Sequence, residues 1–536
     1  MSTKQKLELN WIGKHKRPRL EPRILLEDKE LSYGDADSEN LLIQGDNLLA
    51  LKALEQRYAG KVKCIYIDPP YNTGSAFEHY DDGLEHSIWL SLMRSRLELL
   101  WSLLDIKEGT LWVSIDDREM PYLRLLLDEI CGRDKFIASN IWQKRYSREN
   151  RAAIGDVHEY ILVYAKKPAE FKIKRNKLAL NEKQAKIYTN PNNDPKGRWR
   201  TIPITAQAGH ATASQFYEIV GPTGKTFSPP PGNCWRYSQS AFQELRDAGR
   251  IYFGKNGDSQ PTTIRYLSEV EGAVPWTWWP HEEVGNTDES KKESLALFGK
   301  HAFETAKPER LMERIIHIAT NPGDLVLDSF AGSGTTGAVA HKMGRRWIMV
   351  ELGEHCHTHI VPRLKKVING KDQGGVTKSV NWQGGGGFHY LRLAPSLLKK
   401  DHWGNWVINK EYNAEMLAEA MCKHMNFTYA PSQTQYWNHG YSTETDYIYV
   451  TTGSLAYEQL KIISEEVGTE RTLLICCKAF LTEGAEFPNL TLVKIPRAIL
   501  NKCEWDQDDY SFTLNVLSDS EQPDDIDYDE CTEGEE

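Results

Sequence analysis

A short apolar run, Val62 to Ile67, ends at Asp68-Pro69-Pro70-Tyr71, and that ending constrains the fold more than any other feature of the chain. Two consecutive prolines offer no backbone N–H and hold φ near one value, so a strand that reaches them cannot continue in its ladder and must turn out of the sheet. In an open α/β sheet that edge, outside the carboxyl ends of the strands, is where ligands bind. The flanking segments agree. Leu41–Asp46 reads as a buried strand, Asn47–Tyr58 carries apolar residues at helical spacing, and His86–Leu104 is a long helical pattern. Thr110–Ile115 reads as a strand closing on Asp116-Asp117, Pro121–Ile130 as a helix and Ile161–Ala165 as a strand. The alternation predicts a mainly parallel sheet with helices on both faces.

From about Lys166 to Gly285 the rhythm is lost in a stretch rich in Pro, Gly, Asn, Trp and Tyr, which predicts an irregular or β-rich inserted domain. It returns with a helix over Pro308–Ala319, a strand over Leu325–Asp328, the loop Phe330-Ala331-Gly332-Ser333-Gly334-Thr335-Thr336, a helix, the strand Arg346–Glu351 and a helix to about Asn369. The expected layout is an N-terminal arm (1–39), a first α/β half (40–165), an insertion (166–285), a second α/β half (286–370), a linker (371–387) with a GGGG run at Gly384–Gly387, a C-terminal α+β domain (388–517) and an acidic disordered tail (518–536).

The net charge of −10 is located in that tail: Asp519 to Glu536 holds ten acids and no Lys or Arg, leaving residues 1–518 formally neutral. No run of about 18 apolar residues suggests a membrane span, and the basic N-terminus lacks the apolar core of a signal peptide, so a cytoplasmic protein is expected. The nine cysteines form no C-x-x-C pair and predict reduced thiols, with neither a disulfide framework nor a zinc ribbon.

The two loops carry chemistry. An aromatic amine is a poor nucleophile because its lone pair is delocalised into the ring. The Asp68 carboxylate and the Pro69 carbonyl can accept its two hydrogens and localise the lone pair for attack on a methyl sulfonium, while Pro70 helps to hold that carbonyl still. Tyr71 offers a face on which a flipped base can stack. In the second loop, glycines admit close approach of a ligand and the helix N-terminus offers free N–H groups. It is neither a P-loop nor the full dinucleotide fingerprint. Glu351 ends the next strand at about the spacing at which α/β nucleotide-binding proteins place a carboxylate for ribose hydroxyls, so loop and carboxylate together favour a nucleoside-containing cofactor.

Asp68-Pro69-Pro70-Tyr71 precedes Phe330-Ala331-Gly332-Ser333-Gly334, and the flanking segments GDN (45–47), IYIDPPYNTGS (65–75), HSIWLSLMRSRL (86–97), VSIDDRE (113–119), HEYILVYAK (158–166), VGNTDESKKE (284–293) and KPERLMERII (307–316) accompany them. In these the chain resembles the β-class amino-methyltransferases of DNA, and among them the modification subunits of type III restriction systems. The resemblance covers about 40–165 and 285–370. It implies a Rossmann-like methyltransferase fold with a mostly parallel seven-stranded sheet, an inserted target-recognition domain, S-adenosylmethionine as cofactor and a flipped base of double-stranded DNA as acceptor. It also implies a restriction or helicase subunit as partner, and the C-terminal domain suits homodimerisation. Carried over by position, the catalytic residues are Asp68, Pro69, Pro70 and Tyr71. The cofactor contacts are Asp46, Lys307, Pro308, Asp328, Phe330, Gly332, Gly334, Thr335, Thr336 and Glu351. Aspartate at the head of the motif favours the N6 amine of adenine, because members acting on cytosine N4 usually have serine there.

DNA contacts are expected from Asn72 and from Lys135–Arg151, where Trp142 and Tyr146 interleave with Lys144, Arg145 and Arg148. A solvated basic helix or loop is the alternative for that segment. The cluster His355, Cys356, His357 and His359 and the pair Asp116-Asp117 invite a metal reading, but methyl transfer needs none and no metal site is expected. Rival functions are transfer to cytosine N4, to an RNA adenine or to a protein glutamine, an orphan adenine methyltransferase without a restriction partner, and a catalytically silent DNA-specificity subunit.

Overall fold

The computed structural model describes residues 8–71, 86–147, 153–180, 182–303, 305–481 and 487–510. The chain divides into two compact units, one of residues 1–175 and 277–536, the other Asn176–Trp276. In the first unit eleven strands form one sheet: β1 (Leu25–Glu27), β2 (Tyr33–Gly34), β3 (Leu41–Gln44), β4 (Cys64–Ile67), β5 (Thr110–Ile115), β6 (Phe136–Gln143), β7 (His158–Ala165), β8 (Trp278–Trp279), β9 (Leu325–Asp328), β10 (Arg346–Glu351) and β11 (Gly387–Leu393). Their order is β1-β11-β3-β10-β9-β4-β5-β7-β6-β8, with β2 beside β11.

The seven central strands, β3-β10-β9-β4-β5-β7-β6, match the mostly parallel seven-stranded sheet expected; pairing is parallel from β3 to β5, and β7 runs antiparallel to both its neighbours. β4 and β9 are buried along their whole length, as parallel strands covered on both faces must be. Helices α1 (Asn47–Tyr58), α2 (His86–Leu103) and α3 (Met120–Leu127) follow β3, β4 and β5. Ile65, Ile67, Leu97, Leu100, Val113, Leu327 and Ile348 share one core with them. The second half adds α4 (Thr287–Phe298), α5 (Glu309–Ala319), α6 (Thr335–Lys342) and α7 (Val361–Ile368).

Several expected boundaries are corrected. The insertion is narrower than 166–285, because Pro168–Lys174 is a helix of the first unit and β8 pairs in parallel with β6. The arm 1–39 and the start of the 388–517 domain belong to the main sheet: β11 pairs in parallel with β3, and β1 pairs with β11. The segment 371–387 is packed rather than a free linker, with Asp372, Val376 and Thr377 buried. The mixed α+β layer therefore begins after β11. It contains α8 (Ala414–His424), α9 (Tyr457–Val467) and a five-stranded sheet ending in Leu490–Lys494. Residues 518–536 lie outside the described residues. Among the described residues no helix is long and apolar enough to cross a membrane.

Candidate active site

β4 and β9 are hydrogen-bonded parallel neighbours, with Val326 opposite Cys64 and Leu327 opposite Ile65. Their carboxyl ends lead into the two loops, so motifs far apart in sequence open side by side. The turn after β4 is pinned from α2: the buried Trp89 indole donates its Nε1–H to the Pro70 carbonyl at 2.9 Å.

Asp68 is surrounded by partners. Lys307 Nζ lies 2.7 Å from Asp68 Oδ2, and the Tyr71 hydroxyl lies 2.7 Å from Asp68 Oδ1. The same hydroxyl is 3.0 Å from Glu159 Oε2 and 3.0 Å from Lys307 Nζ. Lys307, expected as a cofactor contact, thus stands in the catalytic cluster; Pro308 beside it caps α5 from the N-cap position. Burial pulls the Lys307 ammonium down, but Asp68 and Glu159 outweigh it and its pKa is raised. Burial raises Glu159, yet Lys307 and Lys144 outweigh it and hold its carboxyl below the usual range. Tyr71 is pushed well above an ordinary phenol by burial, Asp68 and Glu159. Glu159 was not among the expected site residues, although it lies in the quoted HEYILVYAK segment.

The glycine loop is closed by its own carboxylates. Asp328 Oδ1 accepts the Phe330 N–H at 2.9 Å and its Oδ2 accepts the Thr336 hydroxyl at 2.6 Å. Glu351 accepts N–H groups from Gly332 at 2.7 Å, Leu352 at 2.8 Å and Gly353 at 3.1 Å. Gly334 has φ +75°, and a Cβ there would lie 2.9 Å from Ile360 Cγ2, so both backbone and space require glycine. Thr335 Oγ1 accepts from Arg363 at 2.8 Å.

The residues 62–362 match the family of N6 and N4 amino-methyltransferases described as DNA methylase. The chain belongs to that DNA methylase family. The chain is 35% identical to the type III restriction-modification enzyme StyLTI Mod subunit of Salmonella typhimurium over 60% of its own length and 51% of that one's, so it spans about half the length of that relative. It is 32% identical to the type II methyltransferase M.EcaI of Enterobacter cloacae over 65% and 75% of the two chains. It is 30% identical to the type III EcoPI Mod subunit of Escherichia phage P1 over 68% and 65%.

S-adenosylmethionine is the donor that the resemblance to the amino-methyltransferases of DNA implies, and the strand ends of the chain fit it. Asp68 and Glu351 both raise Asp328, whose carboxyl is pushed up to about 7 chiefly by burial. A buried carboxylate with two others bearing on it suits a ligand that carries positive charge. Phe330, Gly332 and Gly334 provide the loop backbone beside them. Asp46, expected as a further contact, is taken up elsewhere: its Oδ1 accepts Leu48 N at 2.9 Å and Leu49 N at 3.1 Å, and its Oδ2 takes Arg96 Nη2 and Tyr510 N, each at 3.2 Å. It caps α1. Its neighbour Asn47 reaches the loop instead, donating Nδ2 to the Ser329 carbonyl at 2.8 Å.

The expected DNA contacts separate sharply. Phe136–Gln143 is a strand of the sheet and not a solvated helix or loop. Trp142 is therefore buried, donating Nε1–H to the Gly285 carbonyl at 2.9 Å, and presents no free face for a base. Lys144 is turned inward to Asp156 at 3.0 Å and Glu159 at 3.5 Å rather than toward a phosphate. Arg145 and Tyr146 are exposed. Asn72 and Arg148 lie outside the described residues.

Proposed function

We propose that the methylase transfers a methyl group from S-adenosylmethionine to the N6 amine of adenine in duplex DNA, as the modification subunit of a type III-like restriction-modification system. The observation that carries this reading is the placing of Asp68-Pro69-Pro70-Tyr71 and the glycine loop on adjacent parallel strands, β4 and β9. When bound, S-adenosylmethionine supplies an electrophilic methyl group on sulfur. Asp68 and the Pro69 carbonyl accept the two amine hydrogens and draw the nitrogen lone pair out of the ring. The Trp89 bond holds the next carbonyl, that of Pro70, and so steadies the turn that carries Pro69. Methyl transfer would leave the nitrogen with one proton in excess, and that proton would pass through the Asp68 carboxylate, which already accepts an amine hydrogen, to solvent. Lifting the base out of the stack costs a few kcal/mol, and the aromatic Tyr71 beside Asp68 supports stacking of the flipped base. Aspartate at position 68 supports adenine over cytosine. The separate unit Asn176–Trp276 supports site-specific reading of the duplex, and the Mod-subunit relatives support a restriction subunit as partner.

The test is incubation of the full chain with labelled S-adenosylmethionine and mixed-sequence duplex DNA, followed by digestion and identification of the modified nucleoside. N6-methyladenine is the expected product; its absence from a folded, donor-binding preparation overturns the reading. Asp68→Ala is expected to lower transfer by at least about 100-fold while the dissociation constant for the donor changes little. Loss of donor binding instead would place Asp68 in the cofactor site.

A further inference from the structure

Charged groups of alternating sign run through the site from surface to centre. Asp156, 55% exposed, pairs with Lys144 at 3.0 Å; Lys144 reaches Glu159 Oε1 at 3.5 Å; Lys307 lies 3.5 Å from Glu159 Oε2 and 2.7 Å from Asp68 Oδ2. Glu159 is the buried middle member, its side chain only 9% exposed. The Tyr71 hydroxyl joins Glu159 to Asp68 a second time, by a path that does not include the lysine.

This arrangement addresses a conflict in the chemistry. Asp68 must offer its oxygens to the incoming amine while Lys307 is already bonded to its Oδ2. An ammonium that faced Asp68 alone would take up the charge and lone pairs the incoming amine needs. A second carboxylate on the far side of the ammonium divides its field. We infer that Glu159 is a positioning residue for methyl transfer: by sharing Lys307 and anchoring the Tyr71 hydroxyl, it holds Asp68 in place and leaves its oxygens able to accept an amine hydrogen. The inference rests on the methyl-transfer reading above and adds to it a residue outside both motifs.

The titratable groups facing Asp68 are Lys307, Tyr71, Glu159, Tyr66 and Asp328. Those facing Glu159 are Lys307, Lys144, Tyr71 and Tyr66, with Asp156 and its neighbour His158 beyond Lys144. The signs of two substitutions therefore differ. Lys307→Met leaves two carboxylates facing each other, which favours protonation, so the acidic limb of the kcat–pH profile moves to higher pH by about one unit. Glu159→Gln leaves Lys307 bearing on Asp68 alone, so the limb moves to lower pH and kcat at pH 7.5 falls at least about tenfold, with donor binding unchanged.

The experiment is this double-mutant cycle on the full chain, with labelled S-adenosylmethionine and duplex DNA, read as kcat, KM and pH profile. Glu159→Gln/Lys307→Met, which removes one charge of each sign, is expected to exceed Lys307→Met in kcat, and Glu159→Asp to recover part of what Glu159→Gln loses. Limbs that move the same way or not at all, or a double variant no better than Lys307→Met, overturn the inference. If the natural sequence transfers no methyl group to any DNA, the functional reading fails by itself. Thermal unfolding at pH 7.5 then still tests the row of charges: Lys307→Met should lower Tm, and the added Glu159→Gln should recover part of the loss. Strictly additive losses overturn the row as well.

Discussion

Asp328 shows how a conspicuous residue can serve a loop and impose a pH dependence on the whole fold. Both of its oxygens are engaged, by Phe330 N and the Thr336 hydroxyl, and burial lifts its carboxyl from 3.8 to about 7. An acid whose folded pKa is raised holds its proton longer in the folded state, so its contribution is present below the unfolded value and is lost as pH rises toward the folded one. Asp328→Asn keeps an acceptor for Phe330 N without the buried charge. The difference in Tm between Asp328→Asn and the natural sequence should therefore shift in favour of the variant from pH 5 to pH 8. A difference that is flat across that range would mean the carboxylate is ionised throughout. At this scale the sequence was a good guide to residue type and a poor one to residue task. Lys307, Asp46, Trp142 and Lys144 were all visible as interesting. What each touches depends on Asp68, Arg96, Gly285 and Glu159, respectively, none of which lies near it in the chain.

Between elements, buried charge does similar work on a larger scale. Glu309 at the start of α5 takes Lys342 of α6 at 2.7 Å, Arg363 of α7 at 2.8 Å and the Val376 N–H at 3.0 Å, while Asp372 takes Lys342 at 2.7 Å. All four charged groups are nearly sealed from solvent, so removing one leaves others unpaired. Glu309→Ala should lower the unfolding free energy by about 3–5 kcal/mol, measured by denaturant titration; a loss under about 1 kcal/mol would mean the network relaxes around the gap. This network is why 371–387 packs down instead of hanging free, and its glycines gave no hint of it. The elements themselves were largely legible. α1, β5, β9 and β10 fall where periodicity places them, because a helix stripe or a buried apolar run is a local pattern. β6 was not legible: its ladder is made with β7, and its basic continuation into Lys144 and Arg145 resembles a surface segment.

For the whole molecule, the main sheet is closed at one side by segments that precede and follow the two α/β halves in the chain. β11 covers β3 and β1 covers β11. A chain ending at residue 370 would keep both functional loops but expose the β3 edge and part of its apolar cover, which is a template for association. It should elute as aggregate in size-exclusion chromatography where the full chain elutes as a defined species; a monodisperse, cooperatively unfolding product would show the added strands to be dispensable. By itself the sequence determined most of the strands and helices of the two α/β halves, where the prolines force β4 out of the sheet, and which two loops are the candidates for methyl-transfer chemistry, since each is settled by residues adjacent in the chain. Only the tertiary structure decided that those loops open side by side, that Lys307 belongs to Asp68, that Glu159 stands behind it, and that β11 joins the sheet. The reason is physical: strand pairing and buried charge pairing are satisfied between residues remote in sequence, and no local pattern records the partner.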